Sequence, residues 1–129
     1  MPVIGFDHIA LPTSNAERFI EFYKRLGFKI IDEDKWRGRE ARTFAIQIGE
    51  SKINVHPPEL KDVKRGAMTT PGCGDLCFVW QGTIEDVLQM IEKAGVEIEM
   101  GPVPRRGGRQ RDGRQKLRGG VCASVGVGF

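Results

Sequence analysis

With 129 residues, 40% of them hydrophobic and 29% charged, the chain has the size and composition of one globular domain with a core of its own. No apolar run approaches the roughly 20 residues of a membrane span, and the N-terminus lacks the basic-then-apolar pattern of a secretion signal, so a cytoplasmic protein is expected. The net charge of +3 conceals a split, because residues 105–118 carry seven basic residues against one acid, Asp112. That stretch has no aromatic side chain to stack on a base and reads as a solvated loop, so neither nucleic acid nor membrane is an expected partner. Cys73, Cys77 and Cys122 cannot all pair within one chain, and the C-x3-C spacing does not suit a zinc knuckle, so they read as ordinary thiols.

In chain order, Val3 to Leu11 is rich in β-formers and Pro12 ends it, which predicts a strand. Ser14 or Asn15 caps a helix whose Phe19, Phe22, Tyr23 and Leu26 recur at helical spacing, and Gly27 stops it. Phe28 to Asp32 reads as a second strand. Between Ala41 and Ile48, residues Phe44, Ile46 and Ile48 alternate against Thr43, Ala45 and Gln47, the pattern of a half-buried strand. Gly49-Glu50-Ser51 is a hairpin turn, and Lys52 to His56 is a fourth strand closed by Pro57-Pro58. Residues 59–73 are linker. Asp75 to Trp80 reads as a strand and Thr83 caps a helix with Ile84, Val87, Leu88 and Ile91 on its core face. Ala94-Gly95 ends that helix, Val96 to Met100 is a further strand, and one more fits within Val121 to Phe129.

The two halves repeat. His8 to Ile30 and Asp75 to Ile98 share the order strand, turn, amphipathic helix, glycine stop, strand, at an offset of 67 residues at the start and 68 at the end. Module one is 1–58 and module two 74–129. Two equivalent modules in one domain imply a shared groove, with polar groups at matching places converging on it. The only histidines, His8 and His56, lie on predicted strands of module one, and Asp75 holds in module two the place of His8. Imidazole suits zinc, nickel, iron or manganese, and a carboxylate opening a buried strand is costly unless paired or bound to a cation. Each also has a purely structural reading, as a packed strand histidine or as a carboxylate bonded to turn amides. Trp36, among Lys35, Arg37 and Arg39, is the aromatic least suited to burial and the candidate for lining a ligand groove.

Phe6-Asp7-His8-Ile9-Ala10-Leu11, the helix end Phe22-Tyr23-x-x-Leu26-Gly27-Phe28 and Ile53-Asn54-Val55-His56 together resemble the vicinal oxygen chelate superfamily. This is the group of glyoxalases, bleomycin resistance proteins and dioxygenases. Gly74 to Phe78 and Gly95 to Val103 look closest to its glyoxalase-domain, lactoylglutathione-lyase-like branch. The resemblance covers residues 4–104. It implies an α+β fold of two paired β-α-β-β-β modules, a cup-shaped mixed sheet with helices outside, in a homodimer. It also implies a divalent metal held by His8, His56, Asp75 and an acid in the last strand.

The last strand departs from the pattern. After Asp112 no acidic residue occurs, and Leu117 to Phe129 reads as a replaced terminus in an irregular second module. Losing an anionic ligand weakens a divalent site, and losing a catalytic carboxylate removes a general base. Two functions are therefore expected in competition. One is a metal-dependent, lyase- or isomerase-like enzyme acting on a small molecule, with the cation as Lewis acid. The other is a non-catalytic ligand-sequestering protein of the bleomycin-resistance kind, or an inactive member.

Overall fold

The computed structural model describes residues 2–74, 76–104 and 121–124, which fall into two units divided after Cys77. The first unit holds β1 (His8–Pro12), α1 (Ala16–Arg25), β2 (Ile30–Ile31), α2 (Glu33–Arg37), β3 (Phe44–Ile48) and β4 (Ser51–His56). Its strands form one mixed sheet in the order β1-β4-β3-β2, with β1 parallel to β4 and the other pairs antiparallel. The fold class is thus α+β with a four-stranded mixed sheet, as the sequence implied.

Local chemistry sets the ends of α1. The Asn15 side-chain oxygen accepts the Arg18 N–H at 3.1 Å, which satisfies one of the helix's orphan donors. At the other end Gly27 takes φ 87°, a left-handed conformation open to glycine at little cost. Gly27 N–H then bonds Lys24 O at 2.9 Å and Phe28 N–H bonds Tyr23 O at 3.0 Å, the paired bonds of a Schellman motif. The accompanying apolar contact is present too, since the Tyr23 and Phe28 rings sit edge-on at 5.5 Å.

The core lies between α1 and one face of the sheet. Ala16, Phe19, Ile20, Phe22 and Tyr23 from the helix meet Phe44, Ile46, Ile53 and Val55, with Phe19 edge-on to Phe44 at 6.2 Å. Each such side chain, removed from water, contributes about 1.5–3 kcal/mol relative to exposure. Burial also pushes the Tyr23 hydroxyl above its ordinary pKa.

Helix α2 was not anticipated. Asp32 enters it at φ 60°, with Glu33 and Asp34 in its first turn and Lys35 and Arg37 in its last, a charge order that complements the helix dipole. It buries no residue fully and is tied to α1 by ion pairs: Arg37 to Glu17 at 2.6 Å and Lys24 to Glu33 at 2.6 Å.

The second unit begins at Phe78 and contains α3 (Ile84–Lys93), β5 (Met100–Pro104) and β6 (Val121–Ser124). Helix α3 repeats the construction of α1. Thr83 and Asp86 form a reciprocal capping box, Gly95 takes φ 69°, and Val96 N–H bonds Ile91 O at 3.2 Å as Phe28 does Tyr23. The strands follow the repeat less closely. Residues 76–80, expected as the counterpart of β1, join no ladder, and Phe78, Val79 and Trp80 are exposed. In the first unit the parallel partner of β1 is β4; at the repeat's 68-residue offset the place of β4 falls at 119–124, where β6 is paired with β5. The strand expected at Val96 starts instead at Met100, and β5 pairs antiparallel with β6 through a bulge. No helix among the described residues is long and apolar enough to cross a membrane.

Candidate functional site

The register of the four-stranded sheet sorts its side chains into two faces. His8 lies opposite Lys52, Ala10 opposite Asn54 and Pro12 opposite His56, while Ala45 and Gln47 of β3 lie opposite Asn54 and Lys52. Paired residues share a face and alternate with their neighbours, so these eight form one side and Ile9, Leu11, Phe44, Ile46, Ile53 and Val55 the other. The second set is the α1 core. The first is a polar face bearing His8, Gln47, Lys52, Asn54 and His56.

Both histidines are therefore on the same side of the sheet. They are not adjacent: four strand positions separate His8 from the residue opposite His56, about 13 Å at roughly 3.3 Å per residue. Asn54 occupies the position between them. Its place follows from the two-residue period of Lys52, Asn54 and His56, a signal present in the sequence.

The two imidazoles are held in opposite chemical senses. Nδ1 of His8 lies 2.7 Å from Asp7 Oδ2, and a carboxylate only accepts, so His8 donates from Nδ1, and in the neutral ring the lone pair is on Nε2. This is how a neighbouring carboxylate orients a metal-binding or proton-accepting histidine. The same bond, then the His8 charge, holds the Asp7 carboxyl below its usual value. Nδ1 of His56 instead lies 3.0 Å from Arg65 Nη1. A guanidinium only donates, so His56 accepts at Nδ1 and carries its proton on Nε2. Partial burial, followed by the Arg65 charge, pushes the His56 pKa below 6.5 and keeps the ring neutral. The His56 backbone is fixed as well, its carbonyl accepting the Thr13 N–H at 3.0 Å.

Asp75, the third expected ligand, lies outside the described residues. Among those described, no three His, Cys, Asp or Glu side chains gather as a metal site. In donor chemistry, His8 fits a divalent cation through Nε2; His56, with no free lone pair and a guanidinium beside it, does not in this arrangement.

Trp36 sits elsewhere. It is half-buried on α2, its ring 4.9 Å from Phe44 of the core face, with the Arg37 guanidinium 5.5 Å from its centroid. Its indole N–H donates to Glu59 Oε1 at 3.0 Å, so both its apolar body and its polar tip have partners. Of the other aromatics, Phe44 is a core residue at 1% exposure, while Phe78 is 42% exposed.

Residues 5–112 match the family model of the Glyoxalase/Bleomycin resistance protein/Dioxygenase superfamily. The chain is 37% identical over 108 residues to virulence protein STM3117 of Salmonella typhimurium, covering 83% of this chain and 71% of that one. It is 30% identical over 107 residues to glyoxalase domain-containing protein RDO1 of Mycosarcoma maydis, covering 83% of this chain and 57% of that protein. The crystal structure of the Salmonella protein superposes with a TM-score of 0.71 at 34% identity, covering 84% of this chain and 82% of that one. An integron cassette protein from the mobile metagenome of V. Cholerae gives a TM-score of 0.71 at 28% identity, with coverages of 84% and 80%.

Proposed function

The chain belongs to the Glyoxalase/Bleomycin resistance protein/Dioxygenase superfamily, and from that membership we propose that it handles a small molecule on the polar face of its four-stranded sheet, with His8 as the reactive group. The observation that carries this reading is the 2.7 Å bond from His8 Nδ1 to the Asp7 carboxylate. It orients the ring and leaves Nε2 basic, able to take a proton or to ligate a cation.

Zinc, nickel, manganese or iron would be held through His8 Nε2, with Asp75 as the carboxylate that the repeat pairs with it. A cation bound there supplies Lewis acidity toward a ligand oxygen. The chain's own contribution is orientation: Asp7 fixes the His8 tautomer, and Asn54 and Lys52 offer donors along the same face. His56 is better suited to contacting the ligand than the cation. A lyase- or isomerase-like reaction in a cytoplasmic homodimer is the full form of this proposal. Capture of a ligand without chemistry is the second reading, favoured by the excess of donors over acceptors around His56.

Metal analysis of the wild type, His8→Ala and His56→Ala after incubation with each cation tests the proposal. About one equivalent bound by the wild type and by His56→Ala, but lost in His8→Ala, is the expected pattern. Full retention in His8→Ala refutes a cation on His8, and no uptake by the wild type leaves the ligand-capture reading.

A further inference from the structure

We propose that His56 and Arg65 form a recognition point for an anionic oxygen group, a carboxylate or a phosphate, on the ligand carried by the polar face. The inference deepens the function proposed above and rests on the same face being the ligand face.

The direction of the hydrogen bond decides the chemistry. Because Arg65 must donate to His56 Nδ1 at 3.0 Å, the pair turns only donors outward: the His56 Nε2–H and the remaining guanidinium N–H groups. Such a fork matches the two oxygens of a carboxylate or phosphate, and a charged donor strengthens each bond. Two other arginines of this unit are neutralised within the protein. Arg37 binds Glu17 and Glu33, and Arg42 binds Asp62. Arg65 makes no ion pair with a carboxylate among the described residues, and its one described hydrogen-bond partner is neutral. The side chain is exposed, so its charge is open to solvent.

The surroundings agree in sign. Asn54 stands one position before His56 on the same face, with Lys52 one position before that, and no aspartate or glutamate occupies any sheet position of that face. Between His56 and Arg65 in the sequence lie Lys61 and Lys64, together with two acids engaged elsewhere, Glu59 by the Trp36 indole and Asp62 by Arg42. A divalent cation would meet repulsion here, whereas an anion meets donors on a half-buried imidazole. The spacing also separates tasks, because the anion point lies about 13 Å along the strands from His8. A ligand bridging the two would carry its anionic group at one end and its reacting or metal-binding oxygen at the other.

The test follows the histidine ring nitrogens of the full chain by long-range 1H–15N correlation NMR at constant pH and ionic strength. Inorganic phosphate and acetate are titrated separately, with chloride as the reference salt. Saturable movement of the His56 signals is expected, weakened tenfold or more in Arg65→Gln and by less than twofold in Lys64→Gln. Response to phosphate alone assigns a phosphate or phosphonate group; response to acetate, alone or as well, assigns a carboxylate. His56 signals that move no more than in chloride, or that saturate identically in Arg65→Gln, overturn the inference. Nickel or manganese added to the same samples keeps the two proposals apart. A response at His8 with His56 indifferent to both anions refutes only the anion point. An anion response at His56 with His8 silent toward metals supports the anion point and refutes only the cation on His8.

Discussion

Truncating Phe44 to alanine is the sharpest test of how the first unit holds its polar face in place. The side chain is 1% exposed, edge-on to Phe19 at 6.2 Å and 4.9 Å from Trp36, so it joins α1, α2 and the sheet. Removal of a buried ring costs about 3–5 kcal/mol, and the aromatic contacts, at about 0.5–1.5 kcal/mol each, place this site in the upper part of that range. Against a total stability of about 5–15 kcal/mol for a domain, roughly 4 kcal/mol is a large share. With a urea dependence of about 2 kcal/mol per molar, the midpoint falls by about 2 M. Urea unfolding followed by tryptophan fluorescence measures it, because Trp36 packs on the residue removed, and Phe44→Leu serves as the milder control. A loss below about 1 kcal/mol in Phe44→Ala would refute the claim that this ring is the junction of the unit.

Asn15→Ala removes the acceptor of the Arg18 N–H and is expected to cost about 1 kcal/mol, read as a lowered melting temperature with the fold retained. Gly27→Ala places a Cβ at φ 87°, where no atom lies within 4 Å, so its cost of about 1 kcal/mol comes from backbone strain alone; Gly27→Asn should recover part of it. Trp36→Phe keeps the ring against Phe44 but loses the bond to Glu59, a loss of about 1 kcal/mol by urea unfolding. The folded-state pKa of His56 lies below 6.5, so the unfolded chain takes up a proton first as pH falls through that value. This group therefore lowers stability on acidification, and Arg65→Gln, which removes one cause of the depression, is expected to raise the His56 pKa in an NMR titration. No rise in that variant would show that Arg65 has no part in setting it.

What the sequence disclosed was what short-range chemistry decides. The caps at Asn15 and Thr83 and the stops at Gly27 and Gly95 involve residues within a few positions of each other, and both helices fall where those residues put them. The alternation of Phe44 to Ile48 named the core face correctly because burial imposes a period of two. Pairing is different. Val3 to Asp7 has the composition of a strand, but β4 begins at Ser51, so pairing ends with the Lys52 N–H on Asp7 O and the Ser51 hydroxyl on Phe6 O. Residues 76–80 have strand composition as well and join no ladder. The site was legible in its residues and obscure in its chemistry: nothing in Ile53-Asn54-Val55-His56 reveals that Arg65, from the linker, claims one nitrogen of the ring. Nor does spacing along the sequence show that a parallel pairing sets His8 and His56 at opposite ends of one face.

The parallel β1–β4 pairing joins partners 44 residues apart, His8 to Lys52, whereas the β3–β4 hairpin closes within a few residues of its turn. Long loops are the slower and costlier ones to close, so β1 is expected to join after the β3–β4 hairpin has formed. It is also the sheet's edge strand, and its detachment strips His8 from Asn54 and His56 while leaving β2, β3 and β4 hydrogen-bonded. A weakened β1 is therefore expected to abolish cation uptake through His8 at temperatures below those that melt the rest of the sheet.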